Sequence, residues 1–150
     1  MNRPAALLLA FLAAACASGP PQPAPLDTRH EACASCRMAI SDARFAAQLV
    51  SAGEVPRFFD DLGCLASFVK AGRGSADAVA FVADHQTRAW VRADAALYTR
   101  APALETPMGS RVIAHADGGS RDRDPAARGG TAMAPADLFG PGGPPAGSRR

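Results

Sequence analysis

The residues of this chain best equipped for chemistry lie in the stretch Cys33-Ala34-Ser35-Cys36-Arg37-Met38. Two thiols three positions apart, with a thioether two residues further on, put three soft sulfur ligands within six residues. Such a set suits Cu(I), a soft ion, better than Mg²⁺, Ca²⁺ or Mn²⁺. Zn²⁺ also takes a Cys pair, but it wants two more Cys or His ligands and makes no use of Met. A CxxC alone reads equally well as a redox pair or a local disulfide, and Met is a common core filler.

Other sulfur-bearing residues therefore carry weight. Cys64 follows Asp60-Asp61-Leu62-Gly63. With Asp61 as the cap, Cys64 occupies the first turn of a helix, where free N–H groups and the helix dipole favour a thiolate. Met108 stands between Pro107 and Gly109, a loop context in which a large apolar side chain gains little from packing. That makes it a candidate presented ligand. Met133 lies in a Gly- and Pro-rich stretch and reads as incidental. His30, His85 and His115 are scattered, each most simply a surface or turn residue, so Ser/His/Asp catalysis has no support. His30 and His115 are weak candidates for a nitrogen ligand.

The elements that must position these groups form a small α+β pattern. Phe45, Ala47 and Leu49 alternate with Arg44, Ala46 and Gln48, a strand signal over 44–50. A turn at Ser51–Glu54 returns the chain through Val55–Phe59, with Pro56 suiting an edge or a strand start. Leu62, Leu65, Ala66 and Val69 then fall on one helical face, with Asp60 or Asp61 as N-cap and Gly72 as stop. Strands follow at Ala78–Ala83 and Arg88–Arg92 around a turn at Asp84–Thr87. After a short turn near Asp94 and a loop holding Thr106–Ser110, one more strand runs over Arg111–His115. The expectation is two hairpin-plus-helix (ββαβ-like) units, the second more degenerate, with the folded domain spanning 30–116.

Both flanks differ in composition. Arg3 precedes an apolar run from Ala5 to Ala15, too short to span a bilayer, and small residues lead up to Cys16. The pattern predicts a lipoprotein signal over 1–16 with Cys16 lipidated, hence an exported protein anchored to a membrane through its N-terminus. Residues 17–29 read as a Pro-rich tether and 117–150 as a low-complexity, disordered tail. With Cys16 removed from the four cysteines, Cys33, Cys36 and Cys64 remain, an odd number that no disulfide scaffold satisfies in an oxidising compartment. The net charge is +2, and 15 of the 16 basic residues are Arg. No basic stripe interleaved with aromatics is present, which argues against a nucleic-acid interface.

Taken in order, Cys33-x-x-Cys36-x-Met38, Phe59-Asp60-Asp61-Leu62-Gly63-Cys64, Phe81-Val82-x-Asp84, Trp90 and Thr106-Pro107-Met108-Gly109-Ser110 resemble the NosL family, accessory lipoproteins and copper chaperones of bacterial nitrous oxide reductase. The resemblance implies a periplasmic, membrane-anchored Cu(I) carrier, not an enzyme. It would serve a client copper enzyme or its maturation machinery. By position, it implies Cys33, Cys36, Met38 and Met108 as copper ligands. One departure stands out: the family usually has Gly where this chain has Arg37. If that position takes φ > 0, Arg37 strains the loop and can displace Met38.

Two other readings compete. A thiol–disulfide oxidoreductase would use Cys33 and Cys36, yet the polar stretch Asp27–Glu31 offers no strand before them. A structural Zn²⁺ site would use Cys33, Cys36, Cys64 and a histidine such as His30, leaving Met108 without a role.

Overall fold

The computed structural model describes residues 19–148. The signal segment and Cys16 lie outside them. The first unit is β1 (Ala47–Val50), β2 (Arg57–Phe59), α1 (Leu62–Lys70) and β3 (Val79–Ala83). β1 pairs antiparallel with both β2 and β3, and β4 (Trp90–Arg92) adds to the outer edge of β3, giving the order β2-β1-β3-β4. Asp61 is extended at φ −152° and its carboxylate accepts from Gly63 N at 2.6 Å, which fixes where α1 begins. Leu62, Leu65, Ala66 and Phe68 are buried under the helix. Gly72, at φ +68°, turns the chain out of it, the left-handed conformation that glycine adopts without a Cβ clash. The expected cap, apolar face and stop of this helix all appear.

A second unit repeats the first, though not in the expected frame. The sequence pattern assigned its hairpin to Ala78–Arg92. Those strands instead complete the first sheet. The second unit is β5 (Leu97–Arg100), β6 (Val112–His115), α2 (Gly118–Arg123) and β7 (Thr131–Met133), with order β6-β5-β7 against β2-β1-β3. Asp117 caps α2 through Ser120 N at 2.8 Å, as Asp61 caps α1.

The helix and last strand of this unit lie in the segment read as a low-complexity tail, so that expectation is corrected. Composition is misleading here because β7 is held by backbone bonds to β5, which are indifferent to side chains. α3 (Pro135–Phe139) follows and buries Leu138 and Phe139, the Phe139 ring lying 5.8 Å edge-on from Tyr98. Even the terminal stretch is attached, with Ala80 N donating to Pro145 O at 2.8 Å. The folded part therefore extends well beyond residue 116.

The Pro-rich segment before the domain has no regular structure, but it is docked. The fully buried Gln48 amide accepts from Ala24 N at 2.8 Å and donates to Ala24 O at 3.1 Å. Ala24 and Leu26 pack on Ile40, Ala46 and Phe58. This is why Ala46 and Gln48, on the face of β1 opposite Ala47 and Leu49, are also buried. Among the described residues no helix is long and apolar enough to cross a membrane.

Because Phe139 fills core space, Phe139→Ala is expected to lower the unfolding free energy by about 3 kcal/mol in a denaturant titration. An unchanged transition would show that the C-terminal segment is not part of the folded unit.

Candidate metal centre

The CxxC stretch forms a closed turn. Cys33 N donates to Met38 O at 2.8 Å, and Arg37 N donates to Cys33 O at 2.9 Å. Ala34 N donates to Phe58 O at 2.8 Å, which stitches the turn to β2. Arg37 has φ +68°, the conformation anticipated for a position where the resemblance expects glycine. A left-handed non-glycine residue there costs about 1 kcal/mol.

Inside the turn, the Cys33 side chain is fully buried. Burial works to raise its thiol, but hydrogen bonds from the backbone of Cys36, Asp60 and Ser35, and from the Cys36 side chain, outweigh it and hold Cys33 below its ordinary value. Cys64, at the third position of α1, brings its sulfur to the same point. The sulfurs of Cys33, Cys36 and Cys64 lie within 4.8 Å of one another, and all three are free thiols.

The expectation that the helix start makes Cys64 a thiolate is not met. Burial, and then the neighbouring Cys33 charge, push the Cys64 thiol far up. The two thiols are thus pushed apart: Cys33 is held down by its hydrogen-bond donors, and Cys64 is held up by burial and by its contact with Cys33. The helix-end effect is worth a fraction of a kcal/mol to about 1 kcal/mol, and a like charge in contact within a buried cluster exceeds it.

The second unit contains the same turn with oxygen in place of sulfur. Asp84 N donates to Ala89 O at 2.8 Å, Arg88 N to Asp84 O at 2.7 Å, and His85 N to Ala114 O at 2.9 Å. Arg88 takes φ +65°, as Arg37 takes +68°. Asp84 Oδ1 accepts from Gln86 N, Thr87 N and Ser120 Oγ at 2.9, 2.8 and 2.9 Å, and Oδ2 accepts from Ala116 N at 2.7 Å. The corresponding residues of the first turn are Ser35, Cys36, Cys64 and Asp60. Burial would raise the Asp84 carboxyl, but these donors, Ala116 N foremost, hold it at about 2. The same arrangement of N–H groups thus stabilises a carboxylate in one unit and lowers a thiol in the other.

Met108 is brought to the site by Asp61. Beyond its capping bond, Asp61 Oδ2 accepts from Thr106 Oγ1 at 2.6 Å and from Met108 N at 3.1 Å, clamping the β5–β6 loop onto the start of α1. Gly63 leaves room for it: a Cβ there would sit 2.9 Å from Ser110 Cβ. Met108 lines a shallow cleft of about 360 Å³ with Cys36, Cys64 and Ser110.

The NosL family model matches residues 23–139, from the docked N-terminal segment to the end of α3. The chain belongs to the NosL family. No curated protein and no solved structure matches it. NosL proteins form an accessory, copper-associated family and not a family of enzymes, and the three-cysteine cluster is compatible with metal binding.

Of the NosL ligand candidates, Cys33, Cys36 and Cys64 converge and Met108 borders them. Met38 is 56% exposed and is not among the residues lining the cleft. His30 is exposed and bonded to Asp27, away from the sulfurs, so the Zn²⁺ alternative gains no nitrogen ligand from it. His85 and His115, read as surface or turn residues, are both buried, and this is a correction: they converge on Asp124. Sequence reasoning took Asp61 only as a cap and Asp84 only as a turn residue. Asp61 recurs as Asp117, each two places after the second strand of its unit and each capping the helix that follows, whereas Asp84 takes the place of Cys33.

Asp61→Ala removes the cap and both loop bonds together. It is expected to destabilise this NosL protein by on the order of 3 kcal/mol in chemical unfolding. Thr106→Val, which deletes one of the three, should lose clearly less. Equal losses would mean that the clamp is not an Asp61 function.

Proposed function

We propose that this protein is a periplasmic, lipid-anchored Cu(I) carrier that hands copper to the maturation of a client copper enzyme, nitrous oxide reductase by resemblance. The observation that carries the reading is the convergence of three free thiols, one of them held below its ordinary value by hydrogen bonds, beside the neutral thioether of Met108 at an open cleft. Thiolate and thioether sulfur select a soft monovalent ion. A thioether also cannot be lost to a disulfide, which suits an oxidising compartment.

Release follows from unequal exposure. Cys33 is buried in its ring of N–H groups and acts as the retained ligand. Cys36 and Met108 reach the cleft and can be exchanged one at a time for ligands of an acceptor. The same burial disfavours the oxidoreductase alternative, since Cys33, the thiol held below its ordinary value, is 0% exposed and has no access to a substrate disulfide.

Reduced protein is expected to bind a single Cu(I) in competition with a chelator. Met108→Leu should weaken it roughly ten- to a hundredfold, the scale of ligand-environment losses, with little change in melting. Met38→Leu should have a smaller effect. Disulfide exchange by the copper-free protein, lost in Cys33→Ser, would replace this reading by the redox one.

The anchoring rests on the apolar run before Cys16. Cys16→Ser is expected to shift the protein from the membrane fraction to the soluble one, or to block processing. Unchanged fractionation would place the anchor elsewhere.

A further inference from the structure

The internal repeat exposes a difference between the two cores. In the first unit Ala34 opens the turn, Phe59 ends β2, and Phe68 lies seven residues after the helix cap. Phe59 and Phe68 pack edge to face with centroids 5.1 Å apart. The equivalent positions of the second unit are His85, His115 and Asp124. An apolar cluster has been replaced by two imidazoles and a carboxylate, all at most 5% exposed.

Stability does not account for the exchange. Burying a carboxylate carries a desolvation cost of several kcal/mol, and apolar residues of similar size commonly do as well or better at such positions. The first unit shows that this fold accepts the apolar solution. Nor is the polar solution complete. Three buried side-chain atoms lack a hydrogen-bond partner among the described residues: His85 Nε2, His115 Nδ1 and Thr99 Oγ1. Two belong to the trio. The third, Thr99, lines with Asp124 a surface cleft of about 470 Å³.

We propose that His85, His115 and Asp124 form a second metal site, with nitrogen and oxygen ligands, for a borderline divalent cation such as Zn²⁺. His85 Nδ1 and His115 Nε2 both face Asp124 Oδ2, at 2.6 and 2.9 Å, and one ligand atom from each residue lies within 4.8 Å of the others. Tetrahedral Zn²⁺ with bonds near 2.0 Å separates its ligands by about 3.3 Å, so the two contacts to Asp124 would open by about 0.7 and 0.4 Å and the two ring nitrogens, within 4.8 Å of each other, would take the same spacing. Two imidazoles and a carboxylate leave one position free, and the cleft beside Asp124 and the Thr99 hydroxyl can supply a water to it.

His85 Nδ1 and His115 Nε2 are the ring nitrogens already aimed at Asp124 Oδ2, so they are the ones that would bind the metal together with that carboxylate. Of the cations nearby, Arg44 is paired with Asp42 and Arg121 with Asp122, while Arg128 lines the cleft wall. Asp124 Oδ1 is already tied to Ala126 N at 2.8 Å, which orients the carboxylate. No sulfur is involved, so this site is chemically separate from the cysteine cluster and prefers a harder ion.

Co²⁺ and Zn²⁺ titrations of the full reduced chain test the proposal independently of the copper reading. Co²⁺ held by nitrogen and oxygen gives ligand-field bands without thiolate charge transfer, whereas Co²⁺ at the cysteines gives both. The expected result is a sulfur-free Co²⁺ spectrum that persists in Cys36→Ser, is displaced by Zn²⁺, and is accompanied by a rise in Tm with Zn²⁺. Asp124→Asn, which keeps the shape, should weaken Zn²⁺ binding on the order of a hundredfold and leave Cu(I) binding unchanged. His115→Phe, which restores the first unit's residue, should abolish the Zn²⁺-dependent rise in Tm. If only a charge-transfer spectrum is seen, or if the sulfur-free spectrum or the Zn²⁺ effect survives in a folded variant, the proposal is wrong.

Discussion

A ring of backbone N–H groups closing on one acidic side chain is the interaction on which the rest of this structure depends. In each unit a five-residue turn, ended by an arginine in the left-handed region, aims its amides at the side chain of its first residue. In one unit the accepting atom is Cys33 Sγ, and in the other it is Asp84 Oδ1. The helix that follows the hairpin supplies a further donor from its third position, Cys64 or Ser120. Turn, hairpin and helix are thereby tied at a single acidic group. The strain of Arg37 and Arg88 is small against the several charge-assisted hydrogen bonds it allows.

This constraint explains the division of labour among the thiols. The sulfur that the amides surround is the one held down, so Cys33 is the more acidic thiol although Cys64 sits at the helix start. The same donors can stabilise Cys33 while a soft cation binds its outward side, leaving Cys36 and Cys64 to complete a sulfur set. The Asp61 clamp is the second condition. By holding Thr106 and Met108 N, it brings a loop of the second unit to the first unit's cysteines, so the cleft exists only when both units are folded.

The repeat also shows how one fold can carry different chemistry in corresponding places. The first unit has sulfur in its turn and an aromatic pair beneath it. The second has a carboxylate in its turn and a His-His-Asp trio beneath it. Just after β3 the chain meets β6 at the Asp84–Ala114 bridge, so the carboxylate turn sits directly over the second unit's sheet.

Much of the first unit was legible in the sequence. Apolar spacing marked α1, Asp61 its start and Gly72 its end, because a helix is built from contacts three and four residues apart that a short window contains. The CxxC, Cys64 and Met108 stood out by residue type. The second unit was legible only as a repeat without a frame. Its helix is six residues long, its last strand is held by backbone bonds, and its Gly, Pro and Arg content resembles that of a loop. Tertiary structure alone decided that Leu138 and Phe139 are core, that His85 and His115 are buried against Asp124, that Met108 shares a cleft with Cys36 and Cys64, and that Cys33 is the thiol the amides hold down. Each of these depends on groups tens of residues apart arriving at one point, and neither composition nor periodicity records where a chain returns to itself.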